Sequence, residues 1–179
     1  TFPVETILNL KSKSTILIYR TFFDGPVLRY TEPTEEIKWK ITDKTDTIMS
    51  YPCQEATCQF RGRAYTAWFT TDIPFSYGPY KFHGLPGLIL KISDSNNEYS
   101  WQCVKFVKAK PKETIKNYKW DGYDHITTRE NMAAILKRAY AAPFKFCQSF
   151  GMKIMLSHSD SSASPATHDI TLPYNPIEK

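Results

Sequence analysis

The sequence predicts an α+β fold that is mainly β: a curved, mostly antiparallel sheet, half-barrel-like, with one main helix packed across it. Three observations predict it. Aromatic residues form 15% of the chain, and Tyr, Phe, Trp and Ile favour half-buried pleated surfaces. Short runs of such residues recur through the first 110 positions, broken by turn-forming residues. A single later stretch has helical spacing with both a start and a stop signal.

The strand candidates follow in order. "STILIYRTFF" (14–23) is rich in Thr, Ile, Tyr and Phe and ends at Asp24-Gly25-Pro26, a strong turn signal. "VLRYTE" comes next, then "EEIKWKIT", where Ile37, Trp39 and Ile41 alternate with Lys38 and Lys40. That period of two marks a strand with one wet face. "TDTIMSYPCQEATCQF" reads as one extended run in which Pro52 marks a bulge, a strand start or an edge. Gly62 is the expected hairpin turn into "AYTAWFT", because it accepts positive φ without Cβ strain. "LPGLILKISD" and "EYSWQCVKFVKAK" flank a second turn at Ser95-Asn96-Asn97, with Tyr99, Trp101 and Cys103 expected on one face.

The stretch "KFHGLPGLILKISD" (81–94) places glycine and proline beside a leucine-rich run. Leu85-Pro86-Gly87-Leu88 fits a type II turn, with Pro86 fixing φ and Gly87 supplying a positive one. Leu88, Leu90 and Ile92 would then face one way and Ile89 the other, a strand covered on both sides. The helix is expected after Thr127-Thr128-Arg129-Glu130, read as a capping box from Thr127 to Glu130. Met132, Ile135, Leu136 and Tyr140 continue at helical spacing until Pro143. "SHSDSSASPAT" (157–167) reads as an exposed loop, and "DITLPYNPIEK" as a short strand with Pro-locked extended backbone.

At 179 residues the chain is read as a single domain, 1–179. It opens at Thr1 without a leader, so a precursor's N-terminal residues are expected to be missing. No apolar run approaches the ~20 residues of a membrane-spanning helix. The net charge of +5 favours anionic partners without identifying one. Cys53, Cys58, Cys103 and Cys147 are disulfide candidates that allow three pairings. On a continuous strand Cys53 and Cys58 would lie about 16 Å apart, too far to bond to each other. Each would then have to reach Cys103 or Cys147. An even cysteine count favours an oxidising compartment, with four buried thiols in a reducing one as the alternative.

The signatures of serine hydrolases, zinc peptidases, P-loop proteins and dinucleotide binders are absent, and no cofactor is predicted. His158, Asp160, His168 and Asp169 could hold a metal, but their loose spacing fits solvated loop residues better. The lysines from Lys105 to Lys119, interleaved with Phe106 and Tyr118, could track single-stranded nucleic acid. They are read instead as guards of an exposed edge strand, and no nucleic-acid partner is predicted. Trp39, Trp68, Trp101 and Trp120 are read mainly as core, Trp68 being the most ambiguous.

Several strings together resemble the GLPGLI family of Bacteroidetes: "WKITDKTDTIMSYPCQEATCQFRGR", "GRAYTAWFTTDIPFSYGPYKFHGLPGLIL" and "YNPIE". The resemblance runs from about Trp39 to Ile92, with a further match at 174–178, and Cys53 falls in its Tyr-x-Cys-x-x-Ala piece. It implies a secreted, periplasmic or envelope protein whose signal peptide has been removed. The family has no assigned activity, so no catalytic residue carries over. The strand-heavy pattern with one helix also resembles half-barrel lipoprotein carriers, at the level of fold alone.

Two functions stay open on this reading. One is a non-catalytic protein that binds a hydrophobic small molecule, a peptide or an envelope protein on a concave aromatic-lined sheet. Its candidate contact residues are Trp68 and an exposed lead-in, Tyr80, Lys81, Phe82 and His83. The other is a metal-dependent hydrolase using His158 and His168.

Overall fold

The computed structural model describes residues 4–22, 25–110, 112–114, 124–153, 155–157, 163–165 and 169–178. In chain order the elements are β1 (Val4–Asn9), β2 (Ser14–Arg20), β3 (Val27–Pro33), β4 (Lys40–Ile48), β5 (Tyr51–Phe60) and β6 (Arg63–Thr70). They continue with β7 (Leu88–Asp94), β8 (Ser100–Gln102), β9 (Asp124–Ile126), α1 (Arg129–Ala141), α2 (Pro143–Gln148), β10 (Met155–Ser157) and β11 (Ala163–Pro165). The fold is mainly β and mostly antiparallel, as the alternation predicts. Its strands form a four-stranded sheet, β1-β2-β3-β9, a five-stranded sheet, β4-β5-β6-β7-β8, and a β10-β11 ribbon. The two larger sheets are open, and β3-β9 is the one parallel pairing among the described strands.

The chain divides into two compact units. One comprises Thr1–Thr34 and Tyr118–Asn175, the other Glu35–Asn117 and Pro176–Lys179. In the first, α1 lies against β3 and buries Met132, Leu136 and Ala139. The Tyr19 and Tyr140 hydroxyls meet at 2.8 Å, joining sheet to helix. The start of α1 lies one residue later than the expected capping box. Thr128 is the N-cap and its hydroxyl accepts from the Asn131 amide at 3.2 Å. Pro143 does more than end α1: it opens α2, where its missing N–H costs nothing. The Phe144 and Lys145 amides donate to the Asp169 carboxylate at 3.0 and 2.9 Å, which caps α2 from a distant part of the chain.

In the second unit, the run expected as one extended stretch is a hairpin. Met49 and Ser50, at φ 52° and 66°, turn β4 into β5 without a glycine, so no turn signal was visible there. Arg61 and Gly62, at φ 49° and 79°, make the expected turn into β6. Positive φ at both central residues is the mirror-image turn that matches strand twist. Residues 34–39 lie outside the ladder, and Ile41 is exposed rather than sharing the face of Ile37 and Trp39. The β4–β5 register breaks between Ile41 and Thr45, which interrupts the alternation.

A second bulge resets β7. Trp68 pairs with Lys91 but Phe69 with Ile89, so Leu90 is the extra residue. Ile89 and Ile92 therefore share one core, with Phe69, while Leu90 joins Ile48 and Cys53 in another and Leu88 packs beside them. The expected grouping of Leu88, Leu90 and Ile92 fails because a bulge swaps faces downstream. Cys103 likewise parts from Trp101 and packs with Leu90 and Cys53. The glycines also exchange roles. Gly84 takes the positive φ, 95°, whereas Gly87 does not. A Cβ on Gly87 would stand 1.9 Å from the Thr70 carbonyl oxygen, so this glycine is there for close approach. At the other end of the chain, 169–178 contributes no strand.

Candidate functional site

The residues proposed for binding from sequence split across the five-stranded sheet. Trp68, half-buried, packs on the Ile48–Cys53–Leu90 cluster. Phe82 sits in the other core at 0% exposure, ringed by Trp39, Phe60, Tyr65, Tyr80 and Trp101. It cannot be an exposed contact residue. Lys81 is also buried, at 4% exposure, its ammonium 2.5 Å from the Glu178 carboxylate. A lysine before a glycine corner reads as solvated only because its counter-charge lies 97 residues away. His83 is half-buried, with Nδ1 2.9 Å from the Lys81 carbonyl, and its own carbonyl accepts from Trp39 Nε1 at 2.8 Å. Tyr80 keeps a partly open face and stacks on Trp101, which stacks in turn near Tyr99. That side of the sheet is thus largely filled by its own aromatics, in place of an open aromatic trough.

Beside this core lies a network of buried charge that the sequence did not reveal. The Arg63 side chain is 2% exposed and donates to Asp94 at 2.9 Å, to Glu98, and to the Pro176 carbonyl at 2.8 Å. Its guanidinium also lies over the Tyr99 ring at 4.9 Å. Burial alone would raise the Asp94 carboxyl, but the Tyr99 amide and the Arg63 guanidinium hold it below the usual carboxylate range. Burial, ahead of any neighbouring charge, pushes the Tyr65 phenol well above its ordinary value. Reciprocal placement of Arg63 on β6 and Asp94 on β7 follows from strand register, and register was not legible across the bulge.

The four cysteines are free thiols, which overturns the disulfide expectation. Cys53 and Cys58 lie on opposite faces of β5, as its continuity requires, and each is taken up by apolar packing. Burial pushes the Cys58 thiol up to about 12 and raises Cys53 and Cys147 as well. Such thiols are poor nucleophiles.

His158, Asp160 and His168 lie outside the described residues, so the proposed metal set can be placed only at Asp169. Burial opposes ionisation there, but the Lys145, Phe144 and Ile170 amides hold that carboxyl below its usual range, committed to α2. Among the described residues no group of three His, Cys, Asp or Glu stands close enough to hold a metal. Of the lysine-rich segment, Lys105, Lys108 and Lys110 are exposed beyond the edge strand β8; Lys116, Tyr118 and Lys119 lie outside the described residues.

The first unit holds a cleft of about 460 Å³ beside α1, α2, β3 and β9. Leu28, Ile126, Ile135, Phe146 and Phe150 supply apolar walls, and Arg138, Lys145 and His125 stand on the same lining. Ile126 is 78% exposed, an apolar side chain left at the mouth. Arg138, in the last turn of α1, is exposed and also complements the helix dipole. The sequence offered half of this cleft, through the helical stripe, but α2 and β9 went unseen. Among the described residues its lining holds no thiol or carboxylate; its polar groups are His125, Thr127, Arg138, Lys145 and Ser149.

A family described as "Protein of unknown function (Porph_ging)" matches residues 61–91, the stretch that carries the "GLPGLIL" string. No protein with a curated description matches the sequence. Among solved structures, PNGF-II in space group C2 is similar at TM-score 0.52 and 16% identity, over 78% of this chain and 26% of that one. The P21 form of PNGF-II is similar at TM-score 0.48 and 14% identity, over 75% of this chain and 25% of that one. This chain thus corresponds to about a quarter of PNGF-II, and at 16% identity the likeness is one of fold.

Proposed function

We propose that this is a non-catalytic binding protein whose helical unit takes a hydrophobic small molecule with an anionic group, a fatty acid or lysolipid in class. The observation that carries it is the 460 Å³ cleft, apolar within and bordered by Arg138 and Lys145. A volume of that order suits one acyl chain. Apolar walls favour the chain by burial, and the two cations would draw the headgroup to the mouth. Partner proteins and peptides remain the coarser alternatives for the same binding role. We also propose, from the resemblance in sequence, that the protein works in the secreted or envelope compartment; fractionation of producing cells checks this.

Titration with a polyene fatty acid, such as cis-parinaric acid, tests the cleft directly. Saturable binding at micromolar concentration is expected. Arg138→Glu should weaken it about tenfold, equivalent to about 1.4 kcal/mol of lost attraction. Ile126→Asp, at a position too exposed to disturb folding, should do the same. Native mass spectrometry of gently purified protein should show a co-purifying acyl species. An unmodified, folded chain that fails to bind the probe would overturn the reading.

A further inference from the structure

The charged network of the five-stranded unit contains one short piece of chain that arrives from far away. Residues 118–175 belong to the other unit, and only Pro176–Lys179 returns to this one. Side chains of the β5–β6 hairpin and the following loop seize it. Arg63 donates to the Pro176 carbonyl at 2.8 Å and Tyr65 to the Ile177 carbonyl at 3.4 Å. The Glu178 carboxylate accepts from the Tyr80 hydroxyl at 2.7 Å and from the Lys81 ammonium at 2.5 Å, with Arg61 3.9 Å from its second oxygen. Two successive carbonyls and one acidic side chain are thus read by five side chains.

We propose that this is a recognition site for an extended acidic peptide of the form Pro-Ile-Glu, which the chain's own residues Pro176–Glu178 occupy. Part of the receptor side is held by partners other than the occupant. Arg63 is held by Asp94 and Glu98, and Tyr80 by stacking on Trp101. Lys81 precedes the fully buried Phe82, and its ammonium lies 5.4 Å from the Tyr80 ring centroid. A cation buried this deeply demands a counter-charge, so selection should fall on the glutamate. Reading an acidic motif with a cluster of fixed cations is an established mode of peptide recognition. Occupation in cis has the effect of a high local concentration, so a peptide from outside must compete with the tethered one.

The test uses the full chain with Glu178→Lys, which sets like charges together and expels the tethered segment. The probe is the amidated peptide Leu-Pro-Tyr-Asn-Pro-Ile-Glu, followed through tryptophan fluorescence from Trp101. This variant should bind the peptide saturably, at least tenfold more tightly than the unmodified chain does. The same peptide with glutamine in place of glutamate should bind at least tenfold more weakly. A folded variant that binds neither peptide, or both equally, overturns the proposal. Should Glu178→Lys not fold, hydrogen exchange on the unmodified chain decides. The amides of Ile177 and Glu178 should exchange faster than those of β6, and excess peptide should speed them further. Exchange at the β6 rate, or no response to peptide, would overturn it equally.

Discussion

Gly84 and Gly87 stand three residues apart and serve different ends. Gly84 adopts a φ of 95°, with the nearest side-chain atom, on Trp39, still 3.7 Å from a Cβ placed there. Alanine at Gly84 should therefore meet backbone strain alone, about 1–2 kcal/mol. Alanine at Gly87 would drive a methyl into the Thr70 backbone at 1.9 Å, and neither partner is a flexible side-chain end. A loss of at least about 2 kcal/mol is expected, enough to separate β6 from the start of β7. Chemical denaturation of the two variants checks the ranking, and a milder effect at Gly87 would show that the strands can yield. The string "GLPG" announces a corner to any reader of the sequence. Which glycine bends and which makes room depends on Thr70, a neighbour in space that no local pattern specifies.

Among the elements, α1 offers the sharpest distinction. Its capping residue is Thr128, whose hydroxyl serves the Asn131 amide, while Thr127 donates its backbone N–H to the Arg29 carbonyl at 2.8 Å. Thr128→Ala should cost about 1 kcal/mol of stability, and Thr127→Ala much less. Thermal melts of both variants distinguish the two positions, with equal losses contradicting the cap assignment. The helix itself was legible from its apolar spacing, because a 3.6-residue period is a property of the local chain. The second helix was not. Its six residues are too few to show a period, and its cap comes from Asp169, 24 and 25 residues beyond the amides it receives. The β4–β5 turn was equally hidden. Met49 and Ser50 adopt positive φ without the glycine or asparagine that normally marks such a turn, held there by the pairing of the strands on either side.

For the molecule as a whole, the buried Arg63–Asp94 pair ties stability to pH. The carboxyl of Asp94 is lower in the folded chain than in the unfolded one. Its contribution is therefore present above the unfolded value of about 3.9 and disappears as pH falls through the lower folded value. Unfolding of the five-stranded unit should become easier below about pH 4. Replacing Asp94 by Asn should cost about 3–5 kcal/mol at neutral pH, since Arg63 keeps its burial with less counter-charge. Denaturant unfolding at neutral pH and at acid pH, for both chains, tests this; an undiminished acid dependence in the variant would assign the effect elsewhere.

The sequence by itself determined the mainly β character, the Gly62 and Asn97 turns, and the existence of the helix that ends before Pro143, though not its capping residue, because each rests on interactions spanning only a few residues. Tertiary structure alone decided the bulge that regroups the leucines, the burial of Lys81 against Glu178, and the joining of α2 and β9 to α1 around one cleft. Those outcomes depend on residues brought together across tens of positions, and only closing the chain upon itself chooses among the many such pairs a composition allows.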